Sequence, residues 1–321
     1  MREQSVDSFY ANLRESALSS SSSPVLIFPS TSDVDSLCAL KIIFHILESD
    51  SIQYACYPVS TFHQIHKYTS SASNQDPLSI VLVNCGNHRD LRKELTLRPN
   101  ARKMKEEFER FLPEYGLTDF YYRSFQRTLK YSSKVSAADV VYGVTALLES
   151  SSASKQFGVA YDALSLNNFD NLRTGMQHAI KIQRAILRQG SAAITKNGCI
   201  RSGRSFRWLR LEDSCDAKLL GYPQALTKFC YFLMDALKEK GATMKPLLCA
   251  CVSQEPGKVL IVGVCGRPRL AGARGNAFGI AFRAAAEEIG TEFFHELFES
   301  SWIVLDISAV NSFMVRLIEK L

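Results

Sequence analysis

The chain has 321 residues, of which 46% are hydrophobic and 22% are charged, and its formal net charge at pH 7 is +6. The length allows two domains with a core each, and the composition is ordinary for a globular protein. The longest apolar runs, such as residues 259–265, are too short to span a bilayer, and the N-terminus lacks the apolar core of a signal peptide. Membrane-spanning and secreted proteins are therefore not expected, while the mild positive charge permits contact with nucleic acid without requiring it.

The number and positions of the cysteines indicate in which cellular compartment the protein is expected. There are nine of them, an odd number, and several lie in apolar segments, among them Cys38, Cys56, Cys230 and Cys249. A free thiol in apolar surroundings behaves as a small hydrophobic group, whereas disulfide frameworks belong to oxidising compartments. The pattern predicts buried, reduced thiols in an intracellular protein.

The N-terminal part of the chain is predicted to contain a short helix and a linker, followed by an α/β domain. Residues 1–23 are predicted to form a short helix and a flexible serine linker. In residues 24–99, strands are predicted at 25–28, 54–59 and 80–83, with an amphipathic helix between the first two. Strands that alternate with helices through short connections predict a doubly wound parallel sheet, so the fold class is α/β at this end.

Polar side chains follow two of these predicted strands. Asp33 and Asp35 come after the first strand, and Asn84 comes directly after the third. Ligands of parallel α/β sheets bind outside the carboxyl ends of the strands, so we expect these three side chains to face one crevice. Two carboxylates at this spacing could hold Mn²⁺ or Mg²⁺, or an aspartate could simply cap the following helix. The residues alone favour the capping role.

Asn84 argues against a metal at this edge of the sheet. Its neutral amide is a much poorer ligand for a dication than a carboxylate would be. The only imidazole in reach along the chain is His88, and nothing nearby makes up the deficit. We therefore expect neither a metal cofactor nor catalytic residues.

Two further regions follow a sharp change in composition at residues 98–100. Residues 100–197 are predicted to be helical, and residues 198–321 are predicted to form an α+β domain. In the α+β domain, strands are predicted at residues 206–211, 247–252, 258–264 and 303–307, and helices at 223–240, 277–289 and 310–321. The predicted order is thus an α/β domain, a helical region and a small α+β domain.

A glycine-spaced loop in the C-terminal region is the second candidate site. It contains Arg267, Arg269 and Arg274 and ends in Gly275 and Asn276, just before a predicted helix. Glycines let a backbone approach a phosphate closely, and the N-terminus of a helix favours an anion. The alternative is a glycine-rich turn with solvated arginines, and both interpretations remain open.

Several separated blocks resemble the cell division control protein 45 family, most closely its plant forms. At the N-terminus these are residues 26–39, which include Asp33-Val34-Asp35, and Val83-Asn84-Cys85-Gly86. In the middle they are residues 103–112, 115–117 and 136–142, and near the C-terminus they are residues 275–279 with the last strand and helix. The blocks occur in the order of the family and cover most of the chain.

This resemblance implies a fold and a function. The fold would be shared with DHH phosphoesterases and RecJ-type exonucleases, with a DHHA1-like C-terminal domain. The family is a non-catalytic subunit of the replicative helicase, where it links the GINS complex to the minichromosome maintenance hexamer at origins and forks. It is nuclear and can contact single-stranded DNA. Asp33, Asp35 and Asn84 would then be positions of a vestigial metal site.

The chain departs from the family between residues 97 and 103. There the family carries a further strand, with its counterpart of the DHH motif, then an acidic stretch and more helices, none of which has a counterpart here. The loss removes part of the expected hexamer-docking surface and could leave an unpaired sheet edge. Two alternatives therefore stay open: a Mn²⁺-dependent phosphodiesterase acting on single-stranded nucleic acid, and a shortened form without function. A cooperative unfolding transition would argue against the second.

Overall fold

The computed structural model describes residues 6–19, 24–31, 34–60, 64–65, 68, 79–85, 137–149, 153–165, 168–196, 198–243, 245–265, 277–294 and 301–320. The chain forms two compact units. The first comprises Met1–Leu148 with Ser154–Met176, and the second comprises Glu149–Ala153 with Gln177–Leu321. None of the described helices is long and apolar enough to cross a membrane.

The first unit is built on a parallel sheet. Its elements are α1 (Val6–Ser19), β1 (Val25–Pro29), α2 (Val34–Ser49), β2 (Tyr54–Cys56), β3 (Ile80–Val83), α3 (Ala137–Leu148), α4 (Ala153–Ala163) and the start of α5 (Phe169–Thr195). The described strands lie in the order β2-β1-β3, and β1 pairs in parallel with both neighbours. The predicted α/β class with a parallel sheet is confirmed.

The central strand of this sheet is apolar throughout, and this explains its position. All five residues of β1 are buried, and α2 covers the sheet with Leu37, Leu40 and Leu47. Burial of a leucine side chain contributes about 1.5–3 kcal/mol, so these three residues account for much of the docking energy of α2. The spacing of three and seven residues places them on one face of the helix.

Two details of the first unit differ from the sequence analysis. The second strand ends at Cys56 rather than at residue 59, because Pro29 of β1 has no N–H to donate to the Tyr57 carbonyl. Contact with β1 resumes at Val59, whose N–H donates to the Pro29 carbonyl at 2.9 Å. Cys38 is exposed on α2, so the prediction that it is buried is wrong. The other three cysteines are buried or half-buried, and all nine are free thiols. The predicted helix at residues 103–112 lies outside the described residues.

The second unit is built on a mixed sheet. Its elements are the rest of α5, β4 (Arg201–Ser202), β5 (Arg207–Arg210), α6 (Cys215–Leu220), α7 (Pro223–Glu239), β6 (Leu247–Val252), β7 (Lys258–Val264), α8 (Ala277–Glu288), β8 (Phe293–Phe294), β9 (Trp302–Asp306), a 3-10 turn (Ile307–Ala309) and α9 (Val310–Lys320). The strand order is β4-β5-β6-β7-β9-β8. Among the described strands of this sheet, the β5–β6 pair is parallel and the other pairs are antiparallel, with β6 and β7 forming a hairpin.

Helices cover both faces of this sheet. On one face, α8 and α9 pack against β6, β7 and β9 through a cluster that includes Phe278, Phe282 and Phe313. On the other face, α7 contacts β6 and β7, and its Phe229 and Leu233 are fully buried. The central strands are buried because helices cover both faces of the sheet. The predicted α+β class of this region is confirmed.

Candidate functional site

The carboxyl ends of β1 and β3 form the edge that the sequence analysis selected. After β1 the chain forms β2 on one side of it and then β3 on the other, so the direction of winding reverses between β1 and β3. Pro29 and Val83 are paired in register, and the Ser30 N–H donates to the Val83 carbonyl at 2.9 Å. Ser30 and Asn84 therefore lie side by side at the switch point, where doubly wound sheets bind ligands.

Asp35 lies close to this edge, in the first turn of α2. It is the second residue of the helix and its side chain is exposed, so it is not the N-cap residue. A carboxylate in the first turn interacts favourably with the positive end of the helix dipole. Asp33, which precedes the helix, lies outside the described residues, so the capping role stays a prediction for that aspartate.

Asn84 lies opposite, at the end of β3, in a left-handed backbone conformation with φ of 53°. Asparagine adopts this conformation more readily than most residues do, which explains why it can end the strand so abruptly. Its side chain is exposed, whereas the next residue, Cys85, is buried and donates its thiol to the Phe28 carbonyl at 3.0 Å. The Cys85 thiol thus links the end of β3 to β1, while Asn84 is exposed.

The described donors at this edge do not form a dication site. They amount to the Asp35 carboxylate and the Asn84 amide, and Mn²⁺ or Mg²⁺ bound by protein side chains favours several oxygen ligands with negative charge. Within the described residues, no group of three or more His, Cys, Asp or Glu side chains could hold a metal ion. His88, like Asp33, lies outside those residues.

The second predicted site also lies outside the described residues. Arg267, Arg269, Arg274, Gly275 and Asn276 all belong to the segment 266–276, which precedes α8. Their proposed contact with nucleic acid stays a prediction.

The second unit contains a cleft that the sequence analysis did not select. It has a volume of about 550 Å³ and lies between the C-terminal part of α5, the strands β4 and β5, and the start of α9. Its lining includes three cations, Lys196, Arg201 and Arg210, and the indole of Trp208. The signal in the sequence was the alternation of apolar and basic residues at 206–211, which by itself predicts only a half-exposed strand.

The buried carboxyl group of Glu149 is a second feature of this unit that the sequence analysis did not select. Its Oε1 accepts a hydrogen bond from the Ala225 N–H at 2.5 Å, in the first turn of α7, where Tyr222 provides no side-chain cap. Burial raises the pKa of the Glu149 carboxyl to about 7, although the nearby Lys228 ammonium and the backbone amides of α7 lower it. Its Oε2 is buried and has no hydrogen-bond partner in the described structure. No local pattern signals this contact, since Glu149 and Ala225 are 76 residues apart.

Comparison with known families gives one family across nearly the whole chain. The family model described as CDC45 matches residues 25–102, 99–156 and 150–320. The matched segments meet at residues 99–102 and 150–156, and the first junction falls where the sequence analysis expects residues of the family to be missing.

Individual relatives give the same family. The cell division control protein 45 homolog of Dictyostelium discoideum is 33% identical over 215 residues, which cover 64% of this chain and 33% of that protein. The chain spans between a third and a half of the length of the curated relatives it matches.

Two solved structures are similar in fold. The crystal structure of CDC45 from Entamoeba histolytica matches with a TM-score of 0.68 and 11% identity, over 98% of both chains. The crystal structure of exonuclease RecJ bound to manganese overlaps less well, with a TM-score of 0.48 and 11% identity over 95% of this chain and 93% of that chain. The first of these shows that the fold is that of a solved CDC45 chain.

Proposed function

This chain belongs to the CDC45 family of replication factors, and we propose that it is a non-catalytic scaffold subunit that links the GINS complex to the minichromosome maintenance hexamer. The observation that carries the proposal is the family match from residue 25 to residue 320, in three consecutive segments. The proposed place of action is the nucleus, at replication origins and forks. Contact with single-stranded DNA is part of the proposal, and the net charge of +6 is compatible with it.

The donor chemistry at the strand ends supports a non-catalytic role. The site offers a neutral amide at Asn84, next to the buried Cys85, at the position where a third ligand would be needed. Two-metal hydrolysis needs several carboxylates to hold both ions and to balance their charge. The scaffold role requires only that the fold present surfaces to its partners, and both units have the buried cores that this demands.

The test of this proposal is pairwise binding. The purified full chain is immobilised, and purified GINS and the purified hexamer are each passed over it. We expect saturable binding of both partners. Binding of neither partner would contradict the scaffold role.

A second candidate function is a Mn²⁺-dependent phosphodiesterase acting on single-stranded nucleic acid. It is favoured by one observation: Asp35 and Asn84 lie at the topological switch point of a doubly wound sheet, the usual ligand site of this architecture. The scaffold proposal predicts that an end-labelled oligonucleotide with Mn²⁺ is cut no faster by the chain than by a mock preparation. Hydrolysis that is abolished by Asp35→Ala and retained by Asp170→Ala would instead support the phosphodiesterase. Asp170 is a matched control because it is also an exposed carboxylate at the second residue of a helix, α5.

A further inference from the structure

The cleft in the second unit is organised around one aromatic side chain. Trp208 lies on β5, directly opposite Arg201 in the antiparallel register with β4. Directly opposed residues project from the same face of a sheet, with Cβ atoms about 4.5–5.5 Å apart. Arg210 follows Trp208 by two residues, so it projects from that face as well. Arg201 and Arg210 are therefore the neighbours of Trp208 on this face of the sheet.

The two arginines are available to a ligand. Both are exposed, and neither makes an ion pair or a side-chain hydrogen bond within the described part of the chain. The other cation of the lining, Lys196, is 3.5 Å from Glu212, and the two side chains are 65% and 89% exposed. Such an exposed pair is weak, so the cleft keeps an excess of positive charge.

The remainder of the lining is suited to a planar ring. Val310 belongs to the buried apolar cluster against which Trp208 packs, whereas Leu209 and Leu211 alternate to the other face of β5. Gln189 of α5 and Asn311 of α9 add amide groups. The volume of about 550 Å³ lies in the range of small-molecule sites. Aromatic rings stack favourably on nucleobases, and guanidinium groups bind phosphate oxygens in a bidentate manner.

We propose that this cleft binds a nucleoside phosphate, with the base stacked on Trp208 and the phosphate held by Arg201 and Arg210. The same chemistry is presented by a free nucleotide and by one unit of a single strand. Binding of a nucleotide within a single strand depends on the single-stranded DNA contact proposed above. The presence of a nucleotide site in the cleft is argued from the geometry of the cleft alone. Docking to GINS and the hexamer is measured separately, so a failure of one proposal is distinguishable from a failure of the other.

The probes are deoxythymidine monophosphate and a twelve-residue oligodeoxythymidylate, each titrated into the full chain. The chain has two tryptophans, and Trp302 is only 5% exposed, so quenching of fluorescence by a stacked base reports on Trp208. The test variant is Arg201→Ala/Arg210→Ala. The matched control is Arg184→Ala/Arg204→Ala, which removes the same charge from exposed positions that do not line the cleft.

The test variant is expected to weaken binding by about tenfold or more at 0.1 M salt, because two charge-assisted contacts to phosphate are lost. The slope of log affinity against log salt concentration for the oligonucleotide should become shallower by about 0.7, the contribution of one neutralised phosphate on a single strand. The control should stay within about twofold of the unmodified chain. The Trp208 variants lack the reporting indole, so their binding is measured by isothermal titration calorimetry, and Trp208→Ala should lose more affinity than Trp208→Phe, which keeps a ring. Thermal unfolding confirms that each variant is folded.

Each result either supports the proposed nucleotide site or overturns it. Equal weakening for both probes supports a site for free nucleotides, and weakening for the oligonucleotide alone supports a site for a strand. The proposal is overturned if neither probe binds the unmodified chain, or if the control weakens binding as much as the test variant. It is also overturned if a polyglutamate peptide binds the cleft while both nucleotide probes do not.

Discussion

Glu149 illustrates what one side chain contributes to the second unit. The first N–H groups of any helix lack partners inside the helix, and here a carboxyl group that lies 76 residues away in sequence accepts one of them. The same position removes the carboxyl from water, so its pKa rises to about 7. Lys228 is half-buried, and burial lowers the pKa of its ammonium group while the nearby Glu149 opposes that change. The same carboxyl group therefore caps α7 and interacts electrostatically with Lys228.

The shift of the Glu149 pKa predicts a pH dependence of stability. The folded-state pKa of about 7 lies above the usual value of 4.5, so the folded state binds the proton more tightly than the unfolded state does. Its contribution to the free energy of unfolding is complete below pH 4.5 and is lost as the pH rises through 7. The difference of about 2.5 pH units corresponds to about 3 kcal/mol.

Glu149→Gln keeps the hydrogen-bond acceptor for Ala225 and removes the titration. The measurement is urea unfolding at pH 5, 6, 7 and 8, followed by tryptophan fluorescence. The signal reports on unfolding of the second unit, because Trp208 and Trp302 both belong to it. Between pH 5 and 8, we expect the free energy of unfolding of the unmodified chain to fall relative to that of the variant. A constant difference between the two proteins across this range would show that Glu149 does not titrate there.

At the scale of elements, α3 and the start of α5 approach each other closely in the first unit. The contact is made by two glycines, and a methyl group added to Gly175 would overlap the carbonyl oxygen of Gly143 and the side chain of Leu147. A backbone carbonyl cannot move aside as the end of a flexible side chain can. Small residues at this crossing are therefore required by the distance between the two helices.

Gly175→Ala is expected to destabilise the first unit by about 1–3 kcal/mol, the usual range for overpacking. The control is Gly158→Ala on α4, where an added methyl group meets nothing within 4 Å. That control should stabilise the protein by up to about 1 kcal/mol, because alanine favours a helix more than glycine does. Thermal unfolding followed by circular dichroism measures both changes. If the two variants shifted the transition equally, the close approach of the helices would be refuted.

The elements differ in how well their sequences specify them. Runs such as residues 25–28 and 258–264 are apolar and bounded by turn residues, so their strands could be predicted from local pattern alone. The β5–β6 pairing is parallel and joins strands separated by α6 and α7, so it depends on tertiary packing that no local pattern reveals. The side-by-side position of Ser30 and Asn84 followed from topology, whereas the left-handed conformation of Asn84 did not.

Whether a candidate site could be predicted from the sequence depends on how far apart its residues lie along the chain. Asp35 and Asn84 could be selected because each lies within a few residues of the end of a predicted strand, which is a local property. The cleft around Trp208 brings together residues from α5, β4, β5 and α9, and the cap at Ala225 needs Glu149 from before α4. Sites assembled from several elements become visible only when the chain is folded.

At the scale of the whole molecule, the family match extends over nearly the whole chain. The chain spans between a third and a half of the length of the curated relatives, yet the family match covers it from residue 25 to residue 320. Both compact units have a buried apolar core among their described residues, and the fold matches a solved CDC45 chain over 98% of its length. A fold retained to this extent is expected to present the surfaces on which the proposed scaffold role depends.

The most direct test of that role is assembly of the three components. The full chain is mixed with purified GINS and the purified minichromosome maintenance hexamer and passed through a sizing column with light-scattering detection. The scaffold proposal predicts one complex that contains all three components, at a mass equal to their sum, and no joint elution of GINS with the hexamer when the chain is left out. Elution of the chain alone, as a folded monomer, would contradict it.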